Sequence, residues 1–213
     1  MARISEPTVR RLSHYYRVLD EVAAEGRPVI SSHVLAEREG ITSAQVRKDL
    51  SSFGSFGRRG LGYEVQRLRT EIRAILGLDR RWRVVVVGAG HIGSALLAYR
   101  GFGDQGFDVV AVYDNDGERV GQRLGALVVR PVAELSGRDD FELGVIATPV
   151  RAAQDVADLL VAAGARGILN FAPRKLRVPA GVALRTVDMT MEFEGLSFAL
   201  SQPRARRRRR TSR

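Results

Sequence analysis

The sequence predicts an α/β protein with an N-terminal winged helix-turn-helix domain and a C-terminal Rossmann-like domain, a doubly wound parallel sheet. Three observations lead to this fold class. Apolar residues recur at helical spacing through residues 1–80, which also hold a glycine-rich segment. Short β-branched runs alternate with helical segments through residues 81–186, which is typical of a parallel sheet with right-handed crossovers. A G-x-G-x-x-G pattern lies between the first of these runs and a helical segment.

The first domain opens with three predicted helices. Apolar residues in the range 9–22 recur at steps of three and four, as expected of an amphipathic helix. A second, short helix is predicted over residues 33–39, and Gly40 ends it. Thr42 then begins the segment "TSAQ", which has the spacing of a capping box and opens a third helix. Two helices joined by a tight, glycine-containing turn indicate a helix-turn-helix.

The third helix carries the predicted DNA-reading surface. Val46, Leu50 and Phe53 share its apolar face, and Asp49 falls nearer the core side. The opposite arc presents basic and hydrogen-bonding side chains: Gln45, Arg47, Lys48, Ser51 and Ser52. Glutamine can read adenine, and arginine or lysine can read guanine or hold phosphate. A solvated polar face is the alternative interpretation of such an arc.

A glycine-rich segment, "GSFGRRGLG" (residues 54–62), follows the third helix. Glycine tolerates positive φ, so this segment predicts a hairpin or wing rather than more helix. Its two cations, Arg58 and Arg59, are placed to touch the DNA backbone or minor groove. A further helix over residues 64–76 would connect the two domains or pack between subunits.

The second domain is predicted to contain six buried strands separated by helical segments. Helices are expected after Gly93 and over residues 149–163. The strands are expected at Val84–Val87, Val109–Tyr113, Leu127–Val129, Leu143–Ala147, Ile168–Asn170 and Val182–Leu184.

The glycine pattern predicts a dinucleotide site. The loop after the first strand comprises Gly88, Ala89, Gly90, His91, Ile92 and Gly93. Its glycines permit a sharp turn, close approach to a pyrophosphate and close helix–strand contact, and the helix N-terminus favours an anion. Asp114 ends the second strand, where a carboxylate accepts adenosine ribose hydroxyls and repels a 2′-phosphate, so NADH and NAD+ are favoured over their phosphorylated forms. A strand–turn–helix that binds nothing is the alternative.

Thr148 and Pro149 follow the fourth strand. They could cap the next helix without a ligand, or border the nicotinamide at the carboxyl edge of the sheet. None of the three histidines stands beside the expected nicotinamide as a general base, so the nucleotide is predicted to be bound without being used. The alternatives are an NAD-dependent oxidoreductase with a basic N-terminal extension, and a domain for another nucleotide such as coenzyme A.

Composition adds limits to these interpretations. The 213-residue chain has no cysteine, which excludes disulfides and thiolate metal sites, and it shows neither a membrane span nor a signal peptide, so a cytoplasmic protein is expected. The net charge is +10, and seven arginines lie in the last ten residues, 204–213. Such a run predicts a disordered, solvated tail, with nonspecific attraction to nucleic acid as the alternative.

Four stretches resemble the Rex family of redox-sensing transcriptional repressors. They are "QVRKDLSSFGSFGRRGLGY" (45–63), "VVGAGHIGSALLAYRGF" (86–102), "GILNFAP" (167–173) and "LRTVDMTMEFEGLSFAL" (184–200). The resemblance implies a homodimer that binds double-stranded operator DNA with an inverted repeat. It implies that NADH releases the protein from DNA, whereas NAD+ competes without releasing it, and that no metal or catalytic residue is needed.

The resemblance also implies a division of the chain and the roles of single residues. Residues 1–80 would bind DNA, 81–186 would bind NAD(H), and 187–203 would form a dimerisation helix exchanged between subunits. The resemblance spans about residues 6–202, so the arginine-rich tail, 204–213, lies outside it. Arg17, Tyr99 and Asp188 are similar to the family's contacts that couple the first helix, the nucleotide domain and the exchanged helix, with Tyr99 also near the nucleotide. Arg100 and Met189 depart from the family's usual proline and aromatic residue beside the nicotinamide.

Overall fold

The computed structural model describes residues 4–58, 61–138 and 140–201, apart from the side chain of Arg58. The chain divides into two compact units, Met1–Arg81 and Trp82–Arg213. Arg59 and the arginine-rich residues 204–213 lie outside the described residues.

The predicted first helix is confirmed as α1, Glu6–Ala24. Ser5 caps it by accepting a hydrogen bond from the Thr8 backbone N–H, and a proline lies in its first turn. One face of α1 is buried and packs chiefly against α4, Val65–Ile75, which is the predicted fourth helix of this unit. The shared core holds Leu12, Tyr15, Leu19, Val22, Leu68 and Ile72, among others.

The helix-turn-helix is also confirmed. Helix α2 spans Ser32–Glu39 and α3 spans Ser43–Ser51. Gly40 lies between them with a φ of 63°, a left-handed conformation that glycine adopts without the steric cost of a Cβ. The Thr42 hydroxyl accepts a hydrogen bond from the Gln45 backbone N–H at 3.2 Å and begins α3.

The glycine-rich segment forms the predicted hairpin, with strand β2 at Gly57–Arg58 and strand β3 at Gly62–Glu64. A two-residue strand that the sequence analysis did not predict, β1 at Val29–Ile30, pairs antiparallel with β3 and completes a three-stranded sheet. A methyl group at Gly62 would lie 2.6 Å from the Ile30 carbonyl oxygen, so glycine is what permits this close pairing.

The second unit is a seven-stranded sheet, and all its neighbouring strands are parallel except β6 and β7. The strand order is β10-β9-β8-β4-β5-β7-β6. The strands are β4 (Trp82–Val87), β5 (Phe107–Asp114), β6 (Arg123–Leu124), β7 (Leu127–Pro131), β8 (Leu143–Ile146), β9 (Gly167–Asn170) and β10 (Ala183–Thr186). The helices between them are α5 (His91–Ala98), α6 (Gly101–Asp104) and α7 (Ala153–Ala162). The predicted doubly wound sheet is therefore confirmed.

Two features of this sheet differ from prediction. The last strand, β10, is an edge strand whose residues are mostly exposed, whereas the sequence predicted it to be buried. Its apolar residues match those of a buried strand, but an edge position leaves one side without a neighbour. Strand β6 was not predicted, because two residues are too few to show a period.

The last helix, α8, spans Met189–Ser201, within the segment 187–203 that was expected to form a helix, and every residue in it is exposed. Its large apolar residues are 60–86% exposed: Met189, Met191, Phe193, Leu196, Phe198 and Leu200. Helices with so much exposed apolar surface mark interaction sites in soluble proteins.

Candidate functional site

The glycine loop lies where β4 ends and α5 begins. Gly88 has a φ of 106°, and a methyl group there would overlap the backbone carbonyl oxygen of Ala147. A methyl group at Gly93 would overlap the Gly88 carbonyl oxygen, so helix and strand meet too closely for any other residue. Gly90 caps α5 without a side-chain hydrogen bond, which leaves the first helical N–H groups, of His91 and Ile92, available to an anion.

The Asp114 carboxylate accepts one hydrogen bond from this loop and one from its own turn. Its Oδ2 accepts from the Ala89 N–H at 2.7 Å, and its Oδ1 accepts from the Asp116 N–H at 2.9 Å. The remaining lone pairs on the two oxygens could accept from ribose hydroxyls. Asp116 instead caps the following turn, since its Oδ1 accepts from the Glu118 N–H at 3.0 Å.

Thr148 lies at the carboxyl edge of the sheet, after β8. Its Oγ1 is buried and has no hydrogen-bond partner within the part of the chain that the structure describes. The helical turn that follows begins at Val150, with Pro149 as its capping residue and no side-chain cap. Of the two interpretations left open for Thr148, the helix cap is therefore wrong. A buried hydroxyl without a partner costs free energy unless a ligand or water satisfies it.

Arg119, which the sequence analysis did not single out, lies beside the glycine loop. Its Nε lies 3.0 Å from Asp116 Oδ2, and its Nη1 lies 4.0 Å from Asp114 Oδ2. The same Nη1 lies 2.8 Å from the position that a methyl group on Gly90 would take. A guanidinium therefore rests against the second glycine of the loop. The available signal was a cation in the loop directly after the strand that ends in Asp114.

Of the three predicted coupling residues, Arg17 lies in the first unit, and Tyr99 and Asp188 lie in the second. Arg17 is exposed on α1. Tyr99 is 62% exposed at the end of α5, where its ring makes an edge-on contact with Phe102 at 5.0 Å between centroids. Asp188 accepts a hydrogen bond from the Thr190 backbone N–H at 2.9 Å, as a helix-capping carboxylate does. Their coupling role stays a prediction.

The predicted reading surface lies on α3. Arg47, Lys48, Ser51 and Ser52 are exposed together on one side of the helix. The Ser51 and Ser52 hydroxyls donate to the Lys48 carbonyl oxygen, and an Arg47 nitrogen donates to Ser32 Oγ at 3.1 Å. Arg58 lies in strand β2 of the wing. Two cations and two small hydroxyl residues thus form an exposed surface on α3, and the second helix of a helix-turn-helix is the one that generally enters the major groove.

Gln45 differs from its neighbours on this helix. It is half-buried, and its Nε2 donates to Asp49 Oδ1 at 2.8 Å. The capping box is therefore only half formed: Thr42 caps the helix, but the Gln45 side chain turns towards the carboxylate. As a base reader, Gln45 would first have to leave that hydrogen bond.

Asp49 is the centre of a buried hydrogen-bond network, with 3% of its surface exposed. Arg11 on α1 donates to both carboxylate oxygens, at 2.6 and 2.8 Å, and the Tyr15 hydroxyl donates at 2.8 Å. Burial alone would raise the pKa of Asp49, but the hydrogen bonds from Arg11, Tyr15 and Gln45 outweigh it and hold that pKa below its usual value. The network fixes the reading helix to α1.

Changing Asp49 to asparagine is expected to remove part of the acid sensitivity of folding. Since the folded-state pKa of Asp49 is lowered, its ionised form stabilises the fold above about pH 4, the unfolded pKa, and that stability is lost as pH falls through the folded value. Thermal melting between pH 6 and pH 2.5, followed by circular dichroism, measures the effect. Glu71→Gln, on the exposed side of α4, is the control. Equal acid slopes in wild type and Asp49→Asn would contradict the assignment.

The described residues were also compared with what a metal site or a membrane span would require. No group of three or more histidine, aspartate or glutamate residues among them is arranged to hold a metal ion. None of the helices described here is both long and apolar enough to cross a membrane.

A winged helix-turn-helix in one unit and a glycine-loop nucleotide site in the other define a ligand-responsive DNA-binding protein. Comparison with known proteins agrees with this class. Residues 3–51 match the family model described as "Putative DNA-binding protein N-terminus", and residues 79–174 match the one described as "CoA binding domain". The chain belongs to the Rex family of redox-sensing transcriptional repressors, as the similarity to its members shows.

Two curated relatives illustrate that similarity. The redox-sensing transcriptional repressor Rex of Carboxydothermus hydrogenoformans is 48% identical over 199 residues, which cover 92% of this chain and 96% of the relative. Rex of Thermus thermophilus is 45% identical over 206 residues, covering 96% and 97% of the two chains. The resemblance drawn from the sequence is therefore confirmed.

Solved structures extend the comparison to ligands. RSP in complex with β-NAD+ and operator DNA is 34% identical, with a TM-score of 0.89 and 94% of each chain covered. RSP in complex with β-NADH is 32% identical, with a TM-score of 0.84, covering 94% of this chain and 95% of that one. RSP is itself described as a Rex-family repressor.

Proposed function

We propose that this protein is a redox-sensing transcriptional repressor. It binds double-stranded operator DNA as a homodimer and is released when NADH binds, so that transcription follows the ratio of NADH to NAD+. A repressor of this kind acts in the cytoplasm, where bacterial DNA lies. The observation that carries the proposal is the combination, in one member of the Rex family, of an exposed basic reading helix and a glycine-loop nucleotide site.

In this proposal NADH and NAD+ are regulatory ligands. The loop from Gly88 to Gly93 binds the pyrophosphate, and Asp114 accepts from the adenosine ribose. Thr148 and Pro149 border the nicotinamide, with Tyr99 nearby. The buried Thr148 hydroxyl supports this placement, because it has no partner among the described residues and a bound ligand would supply one. The curated relatives are repressors, which favours sensing over the oxidoreductase alternative.

Asp114→Ala is expected to weaken NADH binding by about ten- to a hundred-fold and to relax discrimination against NADPH. The variant loses a charge-assisted contact to the ribose, worth about 1.5–3 kcal/mol, and no longer repels a 2′-phosphate. Isothermal titration with NADH and NADPH measures both effects. Asp155→Ala, an exposed carboxylate on α7, is the matched control. An unchanged preference for NADH in Asp114→Ala would count against the assignment.

The DNA-binding surface is the exposed side of α3 together with the wing. Arg47, Lys48, Ser51 and Ser52 would enter the major groove, where arginine and lysine read guanine or hold phosphate. Arg58 and Arg59 would extend the contact to the backbone or minor groove. Gln45 would join the base contacts only if it releases Asp49.

The homodimer is supported by two apolar surfaces of the second unit. An apolar cavity of about 320 Å³ lies on one face of the sheet, and α8 is exposed and apolar. Six large apolar side chains on one short helix form more exposed apolar surface than isolated surface residues do, and such surface marks an interaction site. We infer that α8, within residues 187–203, packs into this cavity of a second copy, and the second copy's α8 does the same in return. The cavity is lined by Val84, Val86, Leu96, Phe102, Leu143, Leu169 and others.

A symmetric dimer would place its two reading helices at half-sites about 34–36 Å apart, one turn of DNA. If NADH favours a closed dimer in which this spacing is lost, both helices can no longer engage together. Couplings of this kind are about 1–3 kcal/mol, or five- to 150-fold in affinity. Arg17, Tyr99 and Asp188 would transmit the change between the domains.

Fluorescence anisotropy of a palindromic operator duplex tests the proposed function. NADH is expected to raise the apparent Kd of the protein for the duplex by five-fold or more, and NAD+ to compete with NADH without releasing the duplex. NADPH and coenzyme A, added separately at the same concentration, should have no effect. Equal operator affinity with and without saturating NADH would overturn the proposal, and release by coenzyme A would favour the third interpretation of the nucleotide domain.

A further inference from the structure

We propose that Arg119 is a further nucleotide-binding residue, which exchanges its carboxylate partners for the phosphate beside the adenosine ribose when a dinucleotide enters. The inference rests on the proposed function and adds a residue to its site. It starts from a position: the Arg119 Nη1 lies 2.8 Å from where a methyl group on Gly90 would stand. The second glycine of this loop is the one that lets the pyrophosphate come close.

The present partners of Arg119 are the acidic residues of the same edge. Its Nε contacts Asp116 Oδ2 at 3.0 Å, and its Nη1 lies 4.0 Å from Asp114 Oδ2. The Arg119 side chain is 40% exposed, so these ion pairs hold it weakly against solvent. Once the ribose hydroxyls engage Asp114, that carboxylate becomes a poorer partner, and the phosphate becomes the nearest strong acceptor. Arginine suits this role because its planar group binds phosphate through paired N–H donors.

The location predicts what Arg119 can and cannot discriminate. NADH and NAD+ share the adenosine diphosphate half and differ only at the nicotinamide ring. A cation beside the adenosine phosphate therefore sets the affinity for both forms equally, while the ring end sets the response to redox state. ADP-ribose, which lacks the nicotinamide, should depend on Arg119 to the same degree.

Isothermal titration of the full chain without DNA tests this role. Arg119→Ala is expected to weaken the binding of NADH, NAD+ and ADP-ribose by the same factor. The expected loss is about ten-fold, as for one charge-assisted hydrogen bond. Arg119→Lys should recover part of the loss, since it keeps the charge but not the paired donors. The wild-type affinity for ADP-ribose should also fall more steeply with ionic strength than that of Arg119→Ala. Arg166→Ala is the matched control, an exposed arginine at the amino end of β9.

The outcomes separate this inference from the proposed function. Unchanged or tighter binding of ADP-ribose to Arg119→Ala would overturn the inference, since Arg119 would then only pair with Asp116 or block the site. A loss confined to NADPH would also overturn it, because Arg119 would then read a 2′-phosphate. If wild type binds NADH but keeps its operator, the proposed function fails while the role of Arg119 can still hold.

Discussion

Replacing Phe193 and Phe198 with aspartate is expected to convert the proposed homodimer to monomers and to weaken operator binding by about a hundred-fold or more. Both side chains are 67% exposed on α8 in the single chain. Burying a phenylalanine is worth about 1.5–3 kcal/mol, and each dimer would bury four of them, so charged replacements remove most of the association energy. A monomer also loses the linkage of two half-sites, which contributes about 10²–10⁴ in affinity.

Sedimentation equilibrium and operator anisotropy measure the two effects. Because α8 is exposed throughout, the double variant should keep the far-ultraviolet circular dichroism of the wild type. Phe193→Leu with Phe198→Leu is the matched control, since leucine keeps the apolar contact and should leave a dimer. A half-site duplex should bind wild type and the aspartate variant alike. A dimer with full operator affinity in the aspartate variant would rule out α8 as the dimerisation helix.

Gly93→Ala is expected to abolish the NADH response while sparing DNA binding. The added methyl group would overlap the Gly88 carbonyl oxygen, and both partners are backbone atoms that cannot turn aside. The phosphate loop must therefore move away from α5, and the pyrophosphate loses its helix N-terminus. NADH affinity should fall by about a hundred-fold or more, as for the loss of several charge-assisted hydrogen bonds. In cells the variant should repress at every NADH level.

Gly117→Ala is the control for this substitution. Gly117 follows Asp116 near the same edge, yet a methyl group there meets nothing within 4 Å. Its NADH affinity and its operator release should match those of wild type. Thermal melting reports whether Gly93→Ala keeps its fold, and titration with ADP-ribose reports on the loop alone. Operator release by NADH in a folded Gly93→Ala would contradict the role given to the glycine loop.

Much of the fold follows from local patterns. The predictions of α1, β4 and β5 are confirmed. These segments are long enough to show a period, or contain a run of valines that is typical of a buried strand. The two-residue strands β1 and β6 were missed, since they exist only through pairing with partners elsewhere in the chain. Strand β10 was predicted to be buried, but its apolar sequence could not show that it would lie at an edge.

The candidate site also has features that the sequence could predict and features that it could not. The glycine loop and Asp114 could be predicted, because their spacing follows from one strand–turn–helix unit. The hydrogen-bond and ion-pair partners of the charged side chains could not be predicted in this way. Arg11 reaches Asp49 from 38 residues away, and Arg119 reaches the loop at Gly90 from the turn that follows β5. The sequence shows that these groups are charged, but not which group each one meets.

By itself, the sequence determined the class of this protein: a helix-turn-helix with a wing, followed by a dinucleotide domain. Helical period, strand period and glycine spacing are local properties, so they can be read along the chain. Only the tertiary structure decided which groups remain available to ligands. It turns the Gln45 side chain from the reading surface towards Asp49, leaves the Thr148 hydroxyl without a partner in the described residues, and leaves α8 exposed. Those outcomes depend on which distant surfaces meet when the chain packs, and no local pattern contains that information.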